Sequence, residues 1–206
     1  MAFLKYKDGD LVFGLKEHAL SPFASKTTPM YLYEWAGIES RYKKMHAAFQ
    51  GKAELHFAMK SNSFPEILSR LAKLGAGVDI VSGGELDIAL AAGFPSDKIV
   101  FSGVGKSHAE IEKALKTGIQ QINVESEPEL ERIQKVAAKL GLKANVALRL
   151  NPDISAETHP YITTGFRDNK FGIERGAALR CLEFIKQNSA QLHFRGLTLH
   201  IGSQIF

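Results

Sequence analysis

The stretch Gly77-Val78-Asp79-Ile80-Val81-Ser82-Gly83-Gly84-Glu85-Leu86-Asp87-Ile88-Ala89-Leu90 decides the fold. A short apolar run, Val78–Val81, leads into Ser82, with Glu85 three residues on and Gly93 beyond the amphipathic stretch. Ser followed by Glu at that spacing fits a capping box, in which each side chain satisfies a backbone N–H at a helix start. Gly at the far end takes the left-handed conformation that stops a helix. The phrase therefore reads strand, turn, capped helix, stop.

The same phrase recurs along the chain. Ser63/Glu66, Ser107/Glu110 and Ser126/Glu129 repeat the cap, and Gly75, Gly118 and Gly141 repeat the stop. Pro65 and Pro128 fall in the first turn, where a missing N–H costs nothing. Ile67, Leu68, Leu71 and Leu74 form one helical stripe, and Leu130, Ile133, Ala137 and Leu140 another. The runs that read as strands are Leu55–Met59, Val78–Val81, Ile99–Phe101, Ile122–Val124, Val146–Leu150 and Leu197–Ile201. Their near-continuous apolar character suits strands buried on both faces of a parallel sheet. Six strands alternating with helices give an α/β fold of stacked βα units. The pattern permits an open doubly wound sheet or an incomplete (β/α)8 TIM-type barrel, and both put function at the C-terminal ends of the strands.

The first 50 residues read differently. Asp8–Phe13 predicts a short strand entering from a turn, and Pro29–Tyr33 another. Trp35–Phe49 predicts a helix with Ile38, Tyr42, Met45 and Phe49 on one face.

Composition narrows the class. The 206 residues include 18 Gly, 7 Pro and one cysteine, with 45% apolar and 23% charged residues, which is ordinary globular usage. A lone Cys181 forms no internal disulfide, which favours a reducing compartment. No apolar run is long enough to span a membrane. The N-terminus carries charge where a signal peptide needs an apolar stretch. The expectation is a soluble, cytoplasmic protein. The net charge of +4 is spread over both signs with no basic stripe or tail, so nucleic acid is not an expected partner.

The strand ends carry the candidate site. Lys60 closes an apolar strand; burial there would free its amine as a nucleophile, or the side chain snorkels to solvent. Asp79 precedes Ser82-Gly83-Gly84, whose N–H groups could hold an anion or simply make a tight turn and cap. Arg149 inside an apolar run needs a carboxylate or a site to face. His200 could be a base, a stacking partner or a core histidine, and Ser203 beside Gly202 could hold a phosphate. Gly105-Lys106-Ser107 imitates a phosphate-binding loop, but the glycine that pattern needs five residues earlier is Val100. The histidines are scattered, with no metal-ligand spacing. Cys181 reads as a small buried apolar residue in a helix from Ala177 to Lys186.

Together, Phe57–Asn62, Gly77–Glu85, Asn123–Ser126 and His200–Ser203 resemble the pyridoxal-phosphate decarboxylases with an alanine-racemase-type barrel. His159–Gly165 running into Asn169–Ile173 is similar to the diaminopimelate decarboxylases in particular. The resemblance covers about Asp10 to Phe206. It implies the barrel rather than the open sheet, with residues 1–35 as a segment of a mostly missing β-domain and residues 36–206 as a partial barrel of about six βα units that binds pyridoxal 5'-phosphate. It implies that Lys60 carries the cofactor, that His200 stacks on its ring and that Ser203 lies near its phosphate, with Asp79 and Arg149 lining the same space. The activity implied is release of carbon dioxide from meso-2,6-diaminopimelate to give L-lysine, the last step of lysine biosynthesis, by a homodimer.

Other parts of the family's site follow the sixth strand: a glycine-rich phosphate loop, an acidic partner for the ring nitrogen, a proton-donating cysteine and substrate-carboxylate arginines. Cys181 does not stand in that cysteine's place. The 206 residues alone are accordingly expected to be inactive, with apolar strand edges exposed. Alternatives within the same chemistry are a decarboxylase of ornithine, arginine or carboxynorspermidine. An alternative outside it is a non-catalytic cofactor-binding or regulatory module.

Overall fold

The computed structural model describes residues 4–23, 25–26, 28–152 and 171–200. Its contacts divide the chain into two units, Met1–Leu55 and His56–Phe206.

In the first unit, β1 (Leu4–Lys7), β2 (Asp10–Phe13) and β3 (His18–Ala19) form an antiparallel sheet in that order. Asp8 and Gly9 join β1 to β2 with φ of 49° and 86°. Two successive positive values are what a tight two-residue hairpin requires, and Asp-Gly supplies them cheaply. The turn-and-strand expectation at Asp8–Phe13 is met. Pro29–Tyr33 is a correction, since it joins no sheet. It reads as a strand because aromatic residues alternate there, yet Tyr31 is 88% exposed and its ring stacks on Tyr33 at 6.2 Å instead of packing on a neighbouring strand. Helix α1 spans Trp35–Phe49, as its spacing predicts. The Glu34 carboxylate before it accepts the N–H groups of Leu15 and Lys16, each at 2.7 Å.

The second unit is a six-stranded parallel sheet: β4 (His56–Ala58), β5 (Gly77–Ile80), β6 (Ile99–Phe101), β7 (Gln121–Val124), β8 (Ala144–Leu150) and β9 (Leu192–Leu199). The strands lie in sequence order. Between them run α2 (Pro65–Lys73), α3 (Gly83–Ala91), α4 (His108–Thr117), α5 (Glu127–Leu140) and α6 (Arg175–Gln187). Val78, Ile80, Phe101, Ile122, Val124, Val146 and Leu148 are buried along the strands, and Leu68, Leu86, Ile111, Leu130 and Ile133 along the helices. This is the two-faced burial that unbroken apolar runs imply.

Ser82, Ser107 and Ser126 each accept the N–H of the Glu three residues on. Only Ser107 with Glu110 makes the reciprocal box; Glu85 and Glu129 reach one residue further back, to the N–H groups of Val81 and Glu125. Ser63 is a second correction. Helix α2 begins at Pro65 with Phe64 at the cap position, and Asn62 accepts the Phe64 N–H at 2.9 Å. Pro65 at the helix start fixes the boundary one residue later than a Ser63 cap allows. Gly75, Gly93, Gly118 and Gly141 all end helices with positive φ.

The sheet is an incomplete barrel. Among the described residues, β4 and β9 each pair with a single neighbour. Leu197 and Leu199 on β9 stand 54% and 62% exposed.

Candidate active site

Strand alternation builds the site. In β5, β7 and β8 the residues flanking Asp79 and Asn123, and Leu148 before Arg149, are buried, and alternation along each strand turns these three polar side chains to the other face. They meet in a cavity of about 590 Å³ at the C-terminal ends of the strands. Its walls include Lys60, Asp79, Ser102, Arg149, Thr198 and His200. Four of the five site residues expected from sequence are thus brought together, and Ser203 lies outside the described residues.

Lys60 sits in a 3-10 turn, Met59–Ser61, that follows β4. Met59 is fully buried beneath it while Lys60 is exposed. The turn anchors the lysine's backbone and leaves its amine at the cavity mouth. His200 is half-buried at the end of β9. Burial lowers its pKa, and the Arg149 and Lys60 cations lower it further, so the neutral imidazole is favoured.

Asp79 ends a directed chain. The Gln121 amide donates to Asn123 Oδ1 at 2.9 Å, the Asn123 amide to Ser102 Oγ at 2.9 Å, and Ser102 Oγ to Asp79 Oδ1 at 2.6 Å. Burial raises the Asp79 pKa above the ordinary value, opposed by the Ser102 hydroxyl and by the His56 and Lys60 charges. A raised folded value means full stability below the unfolded pKa and a loss as pH climbs through the folded one. Ser102→Ala lifts the folded value further and extends that loss. Urea denaturation should show the variant's penalty growing from pH 4 to pH 7, reaching about 1–3 kcal/mol. A penalty equal at both values would break the link to Asp79.

Arg149 is held from behind. Its Nη1 lies 2.7 and 3.0 Å from the two oxygens of buried Glu125, and its guanidinium lies over the Phe171 ring at 5.3 Å. Gly172, at φ 86°, lets the chain return beside β8: an added Cβ would lie 2.9 Å from Asn151 N. Glu125 also accepts the Gly103 N–H at 3.2 Å.

Lys106 is the residue that sequence reading set aside. It is buried and does not line the cavity. Its amine donates to Gly103 O at 2.6 Å, Asn123 O at 2.7 Å and Glu129 Oε1 at 2.9 Å. Glu129 Oε2 in turn takes the Glu125 N–H at 2.7 Å. One ion pair thereby fixes the loop after β6 and the end of β7, both of which carry site residues. Ser102, Lys106 and Glu129 were given no site role from sequence, and Glu125 was seen only as part of a phrase, because their roles depend on partners on other strands.

The Gly83 N–H after Ser82 is not free for an anion. It donates to Glu110 Oε1 at 2.7 Å beside the Ser82 cap. Cys181 is buried, and burial pushes its thiol up to about 11. Among the described residues no three His, Cys, Asp or Glu side chains converge to hold a metal. No helix there is long and apolar enough to cross a membrane.

The cavity suits an anionic aromatic cofactor bearing an aldehyde. It offers one exposed amine, one imidazole, one carboxylate and one guanidinium. It also holds a buried oxygen with no hydrogen-bond partner among the described residues, Thr198 Oγ1. Buried polar atoms are rarely left so unless something else satisfies them.

The family model described as "Pyridoxal-dependent decarboxylase, pyridoxal binding domain" matches residues 35–206. The diaminopimelate decarboxylase of Pseudomonas aeruginosa is 47% identical over 210 residues, covering 100% of this chain and 49% of that protein. The diaminopimelate decarboxylase of Helicobacter pylori, solved with L-lysine, superposes with a TM-score of 0.86 at 46% identity, over 90% of this chain and 47% of that one. The diaminopimelate decarboxylase of M. jannaschii in co-complex with L-lysine gives 0.88 at 36% identity, over 98% of this chain and 48% of that one. The chain thus spans about half the length of these relatives. With a partial barrel and a lysine at the mouth of its cavity, this chain belongs to the pyridoxal-dependent decarboxylases, through their pyridoxal-binding domain.

Proposed function

We propose that this chain is the cofactor-binding part of a diaminopimelate decarboxylase, acting on meso-2,6-diaminopimelate to release carbon dioxide and L-lysine. The observation that carries the reading is that Lys60 and His200 face one cavity in a chain 47% identical throughout to such an enzyme. Bound pyridoxal phosphate supplies an electron sink for the bonding pair that the departing carboxylate leaves behind.

The chain's own residues do the rest. Lys60 is the residue that would hold the cofactor, through its amine, and the neutral His200 imidazole is the group that would pack against it. Asp79, with Ser102 donating to it, gives a carboxylate beside the Lys60 amine that can hold a proton during exchange. Arg149 would supply positive charge to the cofactor or substrate carboxylate, and Ser203, outside the described residues, is the residue assigned to the phosphate. Residues 1–35 belong to a β-domain and 36–206 to the barrel. The complete enzyme is a cytoplasmic homodimer.

The test joins these 206 residues to the second half of the P. aeruginosa relative and measures carbon dioxide release. Release from meso-diaminopimelate well above that from ornithine or arginine is expected. The 206 residues alone should give none. A preference of the chimaera for ornithine or arginine would overturn the substrate reading.

A further inference from the structure

Thr198 is the second-last residue of β9 and pairs in register with Arg149 on β8. The two share the face that lines the cavity, together with His200. Thr198 Oγ1 is buried, yet it meets no hydrogen-bond partner among the described residues. A threonine hydroxyl can donate one hydrogen bond and accept others, so burying it unused is unfavourable. Valine has the same shape without the oxygen. For packing alone, valine would serve this strand position better.

We infer that the Thr198 hydroxyl is a ligand-binding group, hydrogen-bonded to the polar edge of the ring that enters the cavity deepest. This rests on the reading of the cavity as the pyridoxal phosphate site and assigns a contact within it. Position along the strand sets which edge is touched. Thr198 precedes His200 by two residues on the same face, about 6.6 Å further from the strand's C-terminal end. A ring lying against the His200 imidazole would turn its inner edge toward Thr198, and a ring hydroxyl or nitrogen there would meet Oγ1. Its register neighbour Arg149 already has Nη1 on Glu125 and its plane over Phe171, whereas Thr198 Oγ1 has no partner among the described residues.

The assignment gives stability and binding opposite signs in one variant. Thr198→Val removes an unsatisfied buried oxygen, so the ligand-free chain should unfold at the same or higher urea concentration. Its Kd for pyridoxal phosphate, read from the absorbance of the bound cofactor, should rise about tenfold, as for one lost hydrogen bond. Thr198→Ser keeps the hydroxyl and should restore Kd to within about twofold of wild type. An unchanged Kd in Thr198→Val would overturn the assignment. So would a fall in the stability of the ligand-free variant, because it would mean that the hydroxyl serves the protein itself. If wild type forms no borohydride-reducible adduct at Lys60, the cofactor reading falls, and the contact with it. If the adduct forms equally in wild type and Thr198→Val with equal Kd, only the Thr198 assignment falls.

Discussion

Lys60→Ala abolishes covalent capture of pyridoxal phosphate while leaving the fold intact. After incubation with cofactor and borohydride, the wild-type chain should gain the mass of one cofactor, mapping to Lys60. The variant should gain none. Lys60 is exposed at the cavity mouth, on a turn anchored by buried Met59, so its truncation removes little packing. Substitutions of that kind stay within about 0.5 kcal/mol of wild-type stability. Lys60→Arg keeps the positive charge and should fail equally, because a guanidinium is not a nucleophilic amine at neutral pH. A full equivalent of adduct in either variant would mean that another lysine carries the cofactor.

Lys106→Met should do the reverse. Its amine uses all three protons, on the Gly103 and Asn123 carbonyls and on buried Glu129. Removing one member of such a pair strands the other charge in the interior, which costs about 3–5 kcal/mol. Urea denaturation at pH 7 would read that loss. The double variant Lys106→Met/Glu129→Leu removes both charges and should recover most of it, since apolar replacement of a buried pair is often neutral or better. A loss under about 1 kcal/mol in the single variant would show that the pair does not hold the fold.

These two lysines also mark where sequence reading succeeds and where it stops. Lys60 is legible because it ends an apolar strand, and a parallel sheet collects its strand ends at one place. The same logic located Asp79, Arg149 and His200. The strands β5 to β8 were legible because burial on both faces leaves near-continuous apolar runs, whereas the sixth was expected at Leu197–Ile201 and in fact spans Leu192–Leu199, a mostly exposed stretch broken by His193, Arg195 and Gly196. β1 was not legible, because Leu4–Lys7 is exposed throughout and alternates lysine with apolar residues. Pro29–Tyr33 misled because aromatic alternation mimics a strand whether or not a partner strand lies beside it. Lys106 was read only against a phosphate-loop pattern, and rejecting that pattern left it without a role. Its actual partners are Glu129 and two backbone carbonyls, contacts that carry no periodicity. Glu125 was visible as part of a phrase, but that it holds Arg149 depends on β7 lying beside β8. Side chains that act across strands show their purpose only when the register is known.

The strict sequence order of the six parallel strands bears on how the chain is made. Each new strand docks beside the one just completed, so no strand must wait for a distant segment to leave the ribosome. Contacts of short sequence separation form quickly, and domains emerging from synthesis order from the N-terminal side. The same order means that a growing sheet always presents one raw edge at its newest strand. At β9 that edge bears Leu197 and Leu199. Unshielded edges of this kind recruit other chains. Productive folding then becomes a race, at each step, between arrival of the next βα unit and capture by a neighbouring nascent chain.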